Sequence, residues 1–260
     1  IAKKCRHIGA EAFRETKIEE LIFENVQWLP VDNYNYIIGD YAFGECLNLE
    51  TVNLNLPYYS YGKNPFFACE KLINIEGSPT CFTDEQRISY GNTIIDGCLY
   101  KFVKNQSDGT RSLELISYPA GRTTFVSPEG GGILKTIGNF AFAGCSKITF
   151  LDLPNTVEAI EIGGCALLYR PYIEEYDSLK LVYRRVNLPE SLCRIEVTPF
   201  GVLGENWDIF LYSNKIHAIL SYVFFYGTIH IPYGTKSSFN CESIRLVVDD
   251  IGDDTISIEL

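Results

Sequence analysis

IGNFAFAGCSKITFLDLP, from Ile137 to Pro154, decides the fold, because the chain states it more than once. IGAEAFRETKIEELIFENVQWLP runs from Ile8 to Pro30, and IGDYAFGECLNLETVNLNLP from Ile38 to Pro57. The last two copies align at a shift of 99 residues, Ile38 on Ile137, Phe43 on Phe142, Cys46 on Cys145, Leu49 on Ile148, Val52 on Leu151 and Leu54 on Leu153. A fragment sits at Phe66, Cys69, Leu72 and Ile75, 23 residues after Phe43, Cys46, Leu49 and Val52. Ile160 begins another, 23 residues after Ile137. Self-similarity with a period near 23 means a repeat architecture in the leucine-rich range.

The phrase has a physical reading. Val52 and Leu54 alternate with Thr51 and Asn53, the period of a strand. A proline follows in most copies (Pro30, Pro57, Pro154, Pro189, Pro232), and because it cannot donate to a ladder the strand is expected to stop there. Gly39 or Gly138 marks a turn, and Ala42-Phe43 or Ala141-Phe142 supplies a small and a large apolar group. One copy cannot bury these groups, but stacked copies can. Phe13, Phe43, Phe66, Phe142, Phe200 and Phe224 are therefore expected to stack as one buried ladder. The last two enter because Ile195 and Ile219 precede them by five residues, as Ile38 precedes Phe43.

The repeats resemble those of the BspA-like leucine-rich repeat proteins, which read roughly I-G-x-x-A-F-x-x-C-x-x-L-x-x-I-x-L-P. DGCLYKF (Asp96 to Phe102) with LELISYPAGR (Leu113 to Arg122) is similar to the family's DGVLY and LISYPAGK element. TIHIPYGTKSSF (Thr228 to Phe239) is similar to its terminal T-I-x-V-P-x-G-T cap. The stretch from Ile162 to Tyr183 departs from the pattern, since IGGCALL lacks the Ala-Phe pair and YRPYIEEYDS reads as an inserted loop. The expected fold is an α/β repeat solenoid, a leucine-rich-repeat right-handed superhelix of short parallel strands with turns and short helices. It would form a single domain over residues 1–260, with an inserted β-hairpin at about 77–128 and a C-terminal cap at 228–260.

Composition narrows the function. The formal net charge of −11 and pI near 4.8 argue against nucleic acid and against an electrostatic anchor to anionic lipid. No stretch approaches the ~18 apolar residues of a membrane span. The chain begins at Ile1 without a signal-like apolar run and contains no Met, so an export signal is expected upstream and already removed. Of nine cysteines, Cys46, Cys69 and Cys145 share one site in the repeat, which favours small buried free thiols over a disulfide framework. Cys5, Cys81, Cys98, Cys193 and Cys241 follow no pattern.

Chemistry-bearing motifs are absent from the sequence. There is no C-x-x-C, and His7, His217 and His230 are scattered, against zinc. No G-x-S-x-G elbow or cysteine-protease signature appears. Gly130 to Gly132 lacks the Gly-Lys-Ser/Thr of a phosphate cradle and reads as a loop. Asp249, Asp250, Asp253 and Asp254 do not space as an EF-hand and read as a solvated charge run. Asn105-Gln106-Ser107 matches a glycosylation acceptor, for which chance suffices. No cofactor, metal or catalytic residue is expected.

A binding surface is placed by alternation instead. Residues that flank the buried strand positions must point outward. In register these are Glu20 and Ile22, Thr51 and Asn53, Asn74 and Glu76, Phe150 and Asp152, Arg185 and Asn187, Asp208 and Phe210, Thr228 and His230. Phe150, Asp152, Arg185, Asn187, Asp208 and Phe210 are the candidate site, with Phe150, Arg185 and Phe210 as the anchors, because a few aromatic or arginine groups usually dominate binding energy. The resemblance implies an extracellular or cell-surface binding and adhesion protein whose partner is a protein or glycan on host or neighbouring cells. Two other classes stay open: a structural spacer of a larger surface protein, and a carbohydrate-active enzyme.

Overall fold

The computed structural model describes residues 7–23, 36–54, 59–77, 92–104, 110–129, 132–167, 182–196, 207–213, 227–232, 245–249 and 256–258. Each copy of the phrase builds two short strands, one at its start and one at its end. In the first part, the starts are β1 (His7–Ile8), β3 (Tyr36–Ile38) and β5 (Tyr59–Tyr61), paired in parallel. The ends are β2 (Glu20–Ile22), β4 (Thr51–Asn53) and β6 (Asn74–Glu76), also parallel. Thr51 pairs with Asn74, 23 residues on, as the period requires.

The middle of the chain is antiparallel. β7 (Asn92–Ile95), β8 (Cys98–Lys104) and β9 (Arg111–Ser117) form a meander. β9 then pairs in parallel with β10 (Ile133–Ile137), followed by β12 (Ala159–Ile160) and β14 (Arg194–Ile195), so the hairpin and the phrase starts share one six-stranded sheet. The phrase ends continue as β11 (Phe150–Asp152), β13 (Arg184–Leu188), β15 (Trp207–Leu211), β16 (Gly227–Pro232) and β17 (Arg245–Asp249), all parallel. β18 (Ile256–Ile258) turns antiparallel against β17. Pro154 and Pro189 lie just past their strands, whereas Pro232 is the last residue of its own strand, paired with Asp249. Pro30 and Pro57 lie outside the described residues.

The inward positions are as the phrase dictates. Val52, Ile75, Leu151, Val186 and Ile209 are buried between more exposed neighbours. Phe43 stacks on Phe13 at 5.2 Å and on Phe66 at 5.9 Å, and Phe142 meets Tyr118 at 5.1 Å. Phe43, Phe66 and Phe142 are buried, but Phe13 is 40% exposed, a correction to its expected burial. Its ring stacks on the next rung alone among the described residues, so it is an end of the ladder rather than an interior member. Phe200 and Phe224 lie outside the described residues.

Tyr118 fills the phenylalanine place in the coil that follows the hairpin. Its N–H donates to Ala141 O at 2.9 Å, as Phe13 N–H does to Ala42 O and Phe43 N–H to Pro65 O. The recurring cysteine gains a reason from the same frame. Cys46, Cys69 and Cys145 each donate S–H to the backbone carbonyl of the preceding rung, Phe13, Phe43 and Tyr118, at 3.0, 3.1 and 3.8 Å. All three are buried and unbridged. Cys165, where the pattern lacks its phenylalanine, is buried as well. Burial pushes the Cys69, Cys145 and Cys165 thiols up, away from the reactive thiolate.

The expected short helices are corrected: none occurs among the described residues. The backbone explains this. Glu11, Tyr41 and Phe140, two residues after the phrase glycine or its equivalent, have φ near +55° (55, 53 and 53), and Glu15, Glu45 and Ala68 take the same left-handed region four or so residues on (59, 56 and 52). Left-handed residues this close together interrupt a right-handed helix, so the Ala-Phe-x-x-Cys segment is a run of turns.

The hairpin is latched to the repeats by Arg122. Its guanidinium donates to Ile73 O at 2.7 Å and Asp96 O at 2.6 Å, and it lies 3.2 Å from Cys98 Sγ. That gives Cys98 a structural place, buried and with its thiol pushed up to about 12 by desolvation. On the other side of the coils, the turns before β6 and before β11 meet directly. Asn64 Nδ2 donates to Phe140 O at 2.6 Å, Phe67 and Phe140 contact edge-on at 5.6 Å, and a Cβ on Gly144 would fall 2.7 Å from Ala68 Cα.

Candidate functional site

Alternation along the short parallel strands places the outward residues in rows. Phe150 pairs with Arg185, Arg185 with Asp208, and Asp208 with Thr228; Asp152 pairs with Asn187, Asn187 with Phe210, and Phe210 with His230. Glu20, Thr51 and Asn74, and Ile22, Asn53 and Glu76, form the corresponding rows of the first sheet. All six candidate residues therefore lie on one face of one sheet. Phe150 is 50% exposed and Asp152 exposed, while Arg185, Asn187, Asp208 and Phe210 are half-buried.

These side chains interlock. The Arg185 guanidinium lies 4.0 Å from the Phe210 ring centroid. His230 stacks on Phe210 at 4.1 Å with rings only 2° apart. β15 sits between β13 and β16, so arginine and imidazole cover opposite faces of the phenyl ring. Phe210 is thus a strut within the face, and the exposed Phe150, paired with Arg185 on the next strand, offers the freer aromatic surface. Arg185 Nε also donates to Asn187 Oδ1 at 3.0 Å, and Asn187 Nδ2 donates to Asp152 Oδ1 at 3.0 Å. At the other margin Tyr183 donates its O–H to Asp208 Oδ2 at 2.9 Å, which holds the phenol above its ordinary pKa. His230 Nε2 lies 3.8 Å from Asp208 Oδ1.

Behind the row, Arg184 fills an inward position. It is fully buried, donating to Val182 O at 3.1 Å and Ser146 O at 2.9 Å, with its guanidinium 5.7 Å from the Trp207 ring. Desolvation lowers its pKa. It ties the turn before β11 to β13 and so sets the spacing of the outer row.

Beside the row lies a groove of about 370 Å3 that alternation does not point to. Asp152, Asn155, Asn187, Glu190 and Tyr212 line it with the prolines that end the strands. The phrase carries a signal for Tyr212 all the same. DLPN (Asp152 to Asn155) and NLPE (Asn187 to Glu190) are equivalent, and the next coil reads Phe210-Leu211-Tyr212, with tyrosine where the others have proline. Among the described residues no group of three or more His, Cys, Asp or Glu could hold a metal, and no helix is long and apolar enough to cross a membrane.

The parallel short-strand sheets, the 23-residue step and the turn-built coils define a repeat fold of the leucine-rich type. Residues 6–95 and 123–166, just over half of the chain, match the BspA type leucine rich repeat region in six copies, and the chain belongs to that family. Two solved structures are similar to it. One is a leucine rich cell surface protein from Faecalibacterium prausnitzii A2-165, at 19% identity and a TM-score of 0.46 over 92% of this chain and 62% of that one. The other is the pneumococcal vaccine antigen PcpA, at 15% identity and a TM-score of 0.32 over 95% of this chain and 77% of that one. The chain thus spans less than two thirds of the length of the first. None of the curated proteins matches.

Proposed function

We propose that this chain is a non-catalytic binding module, displayed outside the cell or on its surface, that holds a ligand on host or neighbouring cells through the outer face of β11, β13, β15 and β16. In this reading the whole chain is one domain, its coils wind as a right-handed solenoid, residues 77–128 are an inserted hairpin and 228–260 close the end. Membership of the BspA-type repeat family supports a surface binding role. The observation that carries the reading is the interlocked row itself. An exposed Phe150 beside an arginine held against Phe210, which is stacked on His230, forms a preorganised aromatic and cationic patch. Such groups lose little freedom on binding, and aromatic and arginine anchors usually carry most of an interface's energy.

The test is a binding screen of the intact protein against extracellular-matrix proteins and a glycan array. Saturable binding that weakens at least tenfold in the triple variant Phe150→Ala, Arg185→Ala, Phe210→Ala is expected. Binding unchanged in that variant would move the site elsewhere. Turnover of any substrate by the purified protein would overturn the non-catalytic reading.

A further inference from the structure

The groove beside the row holds chemistry that the row lacks. Its floor comes from two equivalent segments of successive coils, Asp152 to Asn155 and Asn187 to Glu190. Leu153 and Leu188 are buried beneath it, and the prolines after them stiffen the backbone. In the third coil the proline gives way to Tyr212, which is 37% exposed and loosely stacked on Phe210 at 6.5 Å. Tyr212 therefore places an exposed aromatic at the groove wall where the two coils that form the floor carry proline.

The polar groups select among ligands. Asp152 gives one oxygen, Oδ1, to Asn187 and keeps the other for a ligand. Asn187 spends its carbonyl on Arg185 and one amide hydrogen on Asp152, which leaves its second amide hydrogen. Asn155 Oδ1 accepts from the Ser191 N–H at 3.1 Å, which leaves its amide group to donate. Carboxylate acceptors on Asp152 and Glu190 and amide donors on Asn187 and Asn155 thus line one groove together with the Tyr212 phenol. A phosphate, sulfate or sialic acid would meet two carboxylates and be repelled. An ammonium or guanidinium only donates, and would leave the amide donors unmatched. A hydroxyl both donates and accepts, so vicinal hydroxyls can satisfy both kinds of group. The flat C–H face of a pyranose, slightly positive, suits the negative face of the Tyr212 ring.

We infer that this groove binds a neutral oligosaccharide, with Tyr212 as the stacking platform and Asp152, Asn187, Asn155 and Glu190 as the hydroxyl-binding groups. The inference rests on the binding role proposed above and names the ligand class for the groove at the margin of that surface. The mutual hydrogen bonds of Arg185, Asn187 and Asp152 fix the groups before a sugar arrives, which lowers the cost of ordering them.

Calorimetric titration of the intact protein with chitotriose, cellotriose, mannotriose, sialyllactose and trilysine tests it. At least one neutral trisaccharide should bind, and sialyllactose and trilysine should not. Tyr212→Ala and Asp152→Ala should each weaken that binding at least tenfold, Tyr212→Phe by less than threefold, and Thr51→Ala, on the other sheet, by less than twofold. Unchanged thermal unfolding of the Tyr212 variants shows that the fold is kept. Failure of every neutral sugar to bind, preference for trilysine, or full affinity in Tyr212→Ala would overturn the inference. If the protein binds a matrix protein through the Phe150 row yet takes no sugar, the groove assignment falls and the binding role stands. If nothing binds, both fall.

Discussion

The sheet of β2, β4 and β6 and the sheet of β11, β13, β15 and β16 are made by the same phrase in the same register, yet their outer faces differ. The first presents Glu20, Ile22, Thr51, Asn53, Asn74 and Glu76, mostly short or acidic groups. The second presents Phe150, Arg185, Asn187, Asp208, Phe210 and His230, tied by stacking, cation–π contact and hydrogen bonds. The buried side of both is alike: Leu21, Val52 and Ile75 against Leu151, Val186 and Ile209. Folding therefore sets where the outer rows stand and leaves their content free. Content, not architecture, separates a candidate binding face from an ordinary solvated one.

The largest expected effects probe the shared core. Phe43→Ala and Phe142→Ala should each cost roughly 3–5 kcal/mol in denaturant unfolding, because each empties a buried rung. A much smaller loss for one would mean that the two sheets are not backed by equivalent packing. Phe13→Ala should cost far less, since that ring is already 40% exposed.

Next comes the junction between the two regions. Gly144 has φ +77°, and an added Cβ would sit 2.7 Å from Ala68 Cα. Gly144→Ala should therefore lose on the order of 2–4 kcal/mol, combining backbone strain with overpacking. Gly9→Ala meets nothing within 4 Å and should be near neutral in the same unfolding measurement. Equal effects at the two glycines would contradict the close approach of these coils.

The outer faces should differ by less. Arg185→Ala, which removes the cation from Phe210, should cost about 0.5–1 kcal/mol, whereas Thr51→Ala should stay within about 0.5 kcal/mol. Thermal melts of the two variants decide this. Smallest in energy but direct in readout is thiol labelling of native protein. Cys193, exposed, should react, while Cys46, Cys69, Cys98, Cys145 and Cys165, all buried, should label only after denaturation.

Much of this was legible in the chain. The outward rows were readable because a strand alternates strictly and the proline marks where each copy ends, so Phe150, Arg185 and Asp208 could be aligned without a structure. The ladder was readable where spacing is constant. It was missed at Tyr118, because that coil places its ring three residues after Leu115 rather than five after an isoleucine, as Phe142 follows Ile137. The turns read as short helices in the sequence because apolar spacing does not report the sign of φ, and glutamate, tyrosine and alanine give no warning of a left-handed backbone. The interlocking of Arg185, Phe210 and His230 depends on side-chain reach across three strands, which no single copy contains. Tyr212 stood in plain view as a tyrosine in a proline's place, but its groove exists only where three coils end together.

On the proposed reading, the second sheet's face binds and the first sheet's does not. Binding of the intact protein to the extracellular-matrix protein or glycan selected in the screen can be compared for two matched variants. One carries Phe150→Ala, Arg185→Ala and Phe210→Ala; the other carries Thr51→Ala, Asn53→Ala and Asn74→Ala. At least a tenfold loss of affinity is expected in the first and less than a twofold change in the second. A loss confined to the second variant, or equal losses in both, would contradict it.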